Sequence, residues 1–119
     1  MNRKIYPLSE SFDYIFSRDG GAVATPLWLG IQLPANAVVK QLWLICTAQM
    51  TTTQYQVGSV ASPGAIWDSG TSLVINSNTA AEQLQGTGKF FTGLVYLTFV
   101  GTPVTKGSIV FTLDYETIN

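Results

Sequence analysis

Residues 27–50 constrain the fold more than any other stretch. They read as two long strands folded into a hairpin: LWLGIQL, a turn at Pro34-Ala35-Asn36-Ala37, then VVKQLWLICTAQM. Pro34 cannot donate a ladder hydrogen bond and Asn36 accepts turn dihedrals, so the chain should reverse there. Period-two alternation sets Val38, Lys40, Leu42, Leu44, Cys46, Ala48 and Met50 on one row of the second strand. Val39, Gln41, Trp43, Ile45, Thr47 and Gln49 form the other. Both rows carry large apolar groups. Leaving Val39, Trp43 and Ile45 in water would forfeit about 1.5–3 kcal/mol each, against a net domain stability of roughly 5–15 kcal/mol. A second layer must therefore cover the second row, supplied by this chain or by another.

Elsewhere the chain offers short strands separated by glycine and proline turns. Residues 1–11 begin basic and continue as IYPLSE, expected as a frayed N-terminal arm, with 12–119 a single β-sandwich domain. FDYIF at 12–16 alternates as a strand, and Arg18-Asp19-Gly20-Gly21 has the composition of a tight hairpin turn. Pro26 breaks the chain before Leu27, Leu29, Ile31 and Leu33 resume on one face. YQVGSV at 55–60, TSLVI at 71–75 and KFFTGLVYLTFV at 89–100 read as further strands, with Gly58 and Gly93 as candidate bulges. Asn78 or Thr79 could cap one helical turn through Leu84. The clearest alternation is SIVFTLDYE, with Ile109, Phe111, Leu113 and Tyr115 inward and Val110, Thr112, Asp114 and Glu116 outward. Without a βαβ rhythm, an all-β antiparallel sandwich of about seven or eight strands is the economical assignment, the jelly roll being one of its forms.

Charge and reactive residues then exclude several kinds of function. Charged residues make up 11% of the 119, against a usual quarter, and six basic and seven acidic residues are scattered singly. No basic stripe is present to neutralise a phosphate backbone, so nucleic acid is not an expected partner. There is no histidine, which removes the commonest general base and most zinc sites, and the single cysteine, Cys46, cannot form an internal disulfide. No cofactor or metal is expected. Met1-Asn2-Arg3-Lys4 leads directly into Ile5-Tyr6-Pro7 without the apolar run of a signal peptide, and no stretch is long enough for a membrane span. Synthesis in the cytoplasm and no membrane partner are the expectations.

Two patterns admit a chemical reading beside a structural one. Ala65-Ile66-Trp67-Asp68-Ser69-Gly70-Thr71-Ser72-Leu73 resembles the aspartic peptidase signature, in which aspartates from two subunits share a proton to activate water. Asp68 would be that residue. However, 49 residues follow Gly70, too few for a flap and closing strands, and Asp-Ser-Gly is an ordinary turn tripeptide. Trp28, Trp43 and Trp67 could stack on a carbohydrate in a tail or adhesion module that binds a host ligand, or pack in a core or interface. Packing is the favoured reading, and the chain is expected not to be an enzyme.

Short motifs connect these pieces to a known group. Gly20-Gly21-Ala22-Val23, Leu29-Gly30, Leu33-Pro34-Ala35-Asn36-Ala37-Val38-Val39, Trp67-Asp68-Ser69-Gly70 and Val104-Thr105-Lys106-Gly107-Ser108-Ile109 before Tyr115 resemble the pattern of small tailed-phage virion proteins. Val104 stands where that pattern has leucine. The resemblance implies a capsid decoration (cement) protein on the exterior of the virion, a homotrimer bound over junctions of the major capsid protein. Its expected contact residues are Ile5, Tyr6 and Leu8 on the arm and Trp43 or Trp67 on the body.

Overall fold

The computed structural model describes residues 5–50, 54–68, 82–84 and 89–118. In chain order these form β1 (Ile5–Ile15), a single helical turn α1 (Phe16–Asp19), β2 (Leu27–Leu33), β3 (Ala37–Ala48), β4 (Gln54–Gly58), β5 (Trp67–Asp68), β6 (Glu82–Leu84), β7 (Lys89–Phe90), β8 (Gly93–Val100) and β9 (Ser108–Ile118). They make two antiparallel sheets packed face to face. The first has the order β1-β9-β3-β6, with β7 also on β3; the second has β2-β8-β4-β5. An antiparallel sandwich is therefore what this chain builds.

The expected central hairpin is not one. β2 pairs with β8 and β3 with β9, so Pro34 to Asn36 carry the chain from one sheet to the other. Asn36 has φ +63, the turn geometry its side chain tolerates. The reason lies in the apolar load: Ile31 and Leu33 of β2 and Val39, Leu42 and Leu44 of β3 enter the one core from opposite sheets, and all five are buried. Side-by-side pairing in one sheet would leave these rows without a facing layer.

A bulge corrects the expected rows of β3. Val39 stands opposite Tyr115 and Gln41 opposite Asp114, so Lys40 is an extra residue that reverses the alternation. Val39 thereby joins Leu42 and Leu44 inside, while Trp43 and Ile45 stay outside. KFFTGLVYLTFV likewise divides: β7 belongs to the first sheet and β8 to the second, the chain crossing between Phe90 and Gly93 in place of a bulge. Residues 82–84 are strand where a helical turn was expected. The 71–75 strand and residues 78–81 of that turn lie outside the described residues.

The N-terminal strand starts earlier than its alternation suggests. β1 pairs with β9 continuously from Ile5↔Ile118 to Ile15↔Ser108, so residues 5–11, expected to fray, are strand. Their partner lies about a hundred residues away, which local pattern does not reveal. At the other end α1 stands in place of a hairpin turn, because β1 and β2 lie in different sheets.

β9 behaves as its sequence predicts: Ile109, Phe111 and Leu113 are fully buried and Tyr115 nearly so. Aromatic contacts join the layers. Tyr55 of β4 meets Phe111 edge-on at 5.9 Å, and Tyr14 of β1 meets Phe99 of β8 at 4.9 Å. Phe12 stacks on Phe111 at 5.0 Å within the first sheet. Each such pair contributes about 0.5–1.5 kcal/mol beyond the area it buries.

The loop motifs meet at one end of the sandwich. The Val104 N–H donates to the Gly21 carbonyl at 2.9 Å, and a β-carbon at Gly21 would overlap the Val104 carbonyl oxygen. Gly107 in turn lies against Gln49 and Met50. We expect Gly21→Ala to cost about 1–3 kcal/mol or more, the range of overpacking at a site that cannot yield. A urea-unfolding midpoint equal to wild type would refute that close approach.

Candidate interaction surface

Registers place three cross-strand rows on the outer face of the first sheet: Ser9, Asp114 and Gln41; Ser11, Thr112 and Trp43; Asp13, Val110 and Ile45. The polar atoms of this face are largely satisfied within it. Trp43 donates its indole Nε1–H to Asp114 Oδ2 at 2.9 Å. Ser11 and Thr112 share a hydroxyl bond of 3.0 Å, and Thr47 and Ser108 one of 2.6 Å. Arg18 neutralises Asp13 at 2.9 Å. Ile45 remains 39% exposed, with Trp43 and Val110 half-buried beside it. Such a face loses little on desolvation, because few of its polar groups would surrender a water-only partner.

The second sheet's outer face carries Trp28 opposite Tyr96 and Leu94 opposite Gln32. Trp28 is 54% exposed and its Nε1–H donates to the Ile31 carbonyl at 3.0 Å, which fixes the indole against the strand. Phe90, 70% exposed, stands where the chain leaves the first sheet.

The expected contact residues do not form one cluster. Leu8 is exposed and lines an open groove of about 380 Å³ with Ser9, Lys40, Gln41 and Asp114. Asp114 also accepts the Trp43 indole N–H, so Trp43 stands beside the groove without lining it. Ile5 and Tyr6 pair with Ile118 and Thr117 at the start of β1. Trp67 lies in β5 on the other sheet, opposite Val57. The side chains of Ile5, Tyr6, Trp67 and Asp68 lie outside the described residues, as do Ser69 to Leu73 of the peptidase-like string. Among the described residues no cluster of acidic, histidine or cysteine side chains could hold a metal ion.

A charged clamp closes the end of β1. Arg18 forks onto Asp19 at 2.9 and 2.8 Å and also reaches Asp13, while Asp19 accepts the Ile15 N–H at 3.0 Å. The Arg18 hydrogen bond holds the Asp19 carboxyl below its usual range, the backbone donor acting in the same direction. The buried Tyr14 hydroxyl, which donates to the Gly20 carbonyl, is pushed up to about 12 by burial and by the charge of Asp19.

A chain of the cyanophage Pam1 capsid asymmetric unit has a similar fold. The likeness covers 98% of this chain and 85% of that one, with a TM-score of 0.61 at 19% identity. No protein-family model and no curated protein matches the chain.

Because the folded pKa of Asp19 is depressed, its stabilisation is present above the unfolded carboxylate value and is lost as pH falls through the folded one. Urea midpoints should therefore show Asp19→Asn less stable than wild type near neutrality. The gap should narrow as pH is lowered from about 6 to about 2, and a pH-independent gap would contradict this.

Proposed function

We propose that this chain is a phage virion structural protein: a capsid decoration protein that sits on the shell exterior as a homo-oligomer and binds over junctions between major capsid proteins. The observation that carries this reading is the fold it shares, along nearly its whole length, with a chain of a phage capsid asymmetric unit. The strand orders support it. With β6 and β7 taken as one interrupted lane on β3, the sheets read 1-8-3-6 and 2-7-4-5, the arrangement of an eight-strand jelly roll, a form used in viral capsids.

The surface suits such a role. Trp28, Ile45, Phe90 and Leu94 expose apolar area beside neutral, internally bonded polar groups, the composition of an interface with an apolar centre and few charges. A protein that binds the assembled shell and not its separated subunits stabilises the shell by mass action. A second reading, a tail module that binds a host glycan, is favoured by Trp28, which is exposed, pinned and opposite Tyr96.

Shells assembled from the major capsid protein alone, mixed with purified chain, test the proposal by co-sedimentation. Saturable binding at a fixed ratio, with a higher temperature of shell opening, is expected. Absence of binding to shells together with binding to host envelope would overturn it in favour of the tail reading.

A further inference from the structure

Strand β1 ends the first sheet, and among the described residues β9 is the one strand with which it pairs. An edge eleven residues long is a template on which a strand of another molecule can add. Two hydrogen bonds show which of its backbone groups point outward. The Ile15 N–H donates to Asp19 Oδ2 at 3.0 Å, and the Asp13 carbonyl accepts from Arg18 Nη2 at 2.8 Å, so neither is turned toward β9. Backbone groups alternate sides along an antiparallel strand. The outward set is therefore Ile5, Pro7, Ser9, Ser11, Asp13 and Ile15, while Tyr6, Leu8, Glu10, Phe12 and Tyr14 bond to β9.

We infer that this edge is closed to strand addition by three built-in devices: Pro7, Glu10, and the clamp of Arg18 with Asp19. Pro7 has no N–H to offer at an outward position. Glu10 shares the core-side row of β1 with Phe12 and Tyr14 and is exposed, so a strand added to extend the core would have to bury its carboxylate. The clamp occupies the Asp13 carbonyl and the Ile15 N–H, and Arg18 is itself fixed by both Asp13 and Asp19. α1 is thus more than a connection: its single turn folds back and covers the end of the edge. Between Pro7 and Ile15 only Ser9 and Ser11 keep both an outward N–H and an outward carbonyl, so an added strand would find two complete pairing positions there, flanked by half-occupied ones. Contacts with other copies or with a shell then run through the sheet faces and loops, not through growth of the sheet. This holds whether or not the capsid reading does, since it concerns the edge alone.

The test removes the devices together, in Pro7→Val/Glu10→Thr/Arg18→Ala. Light scattering after size exclusion should show species heavier than wild type appearing at about tenfold lower concentration, with slower amide exchange at Ser9 and Ser11. A triple variant with the wild-type mass across that range, and wild-type circular dichroism, would overturn the inference. Should the triple variant not fold, Pro7→Val/Glu10→Thr, which leaves the clamp whole, decides by the same two readouts: a gain in mass with Ser9 and Ser11 protected supports closure, and wild-type behaviour overturns it.

Discussion

The structure depends on burial between two sheets whose strands alternate along the chain. From β1 to β4 every successive strand lies in the opposite sheet, and the chain crosses again from β5 to β6, from β7 to β8 and from β8 to β9. Strands close in sequence thus contribute to both sheets, and their inner faces share one core. Phe111 lies at the centre of that contact, stacked on Phe12 in its own sheet and met edge-on by Tyr55 from the other. Tyr14 against Phe99 repeats the arrangement nearer the loops. Conformational entropy opposes so many long-range pairings, and apolar burial between the layers is what offsets it.

That dependence explains which parts of the fold were legible in the sequence. β9 was, because a strand with one buried face and one outer face has a simple period of two, and its four inward residues are the buried ones. The presence of a sandwich also was, since Gly/Pro-punctuated strands apolar on both sides require two layers. The central hairpin was not. A tight turn between apolar strands looks the same in sequence whether the strands pair in one sheet or lie in opposite sheets, and only their distant partners decide. The bulge at Lys40 escaped for a similar reason: an extra residue changes the phase of Val39 relative to Leu42 without changing composition.

The candidate surface was partly legible. Trp43 proves to be half-buried on an outer face and Leu8 exposed, but no local signal showed that Asp114, which lines the groove beside Leu8, also holds Trp43. Trp28 was weighed as a stacking or packing residue but left out of the expected shell contacts, although it falls out of phase with Leu27, Ile31 and Leu33 and so had to point away from the core. Phe90 was hidden by its neighbour. Phe90 and Phe91 look equivalent in sequence, yet the first is exposed and the second buried where the chain turns toward the other sheet. Few charges and the exposed Trp28, Ile45, Phe90 and Leu94 give the outer faces apolar area of the kind that interaction sites present.

Hydroxyl-radical footprinting of the chain, free and bound to assembled particles, tests this account most directly. Strong protection of Trp28, Phe90 or the Trp43–Ile45 face on particles, with the buried Phe111 unreactive in both states, is the predicted result. Equal labelling of those outer positions in the two states would contradict it.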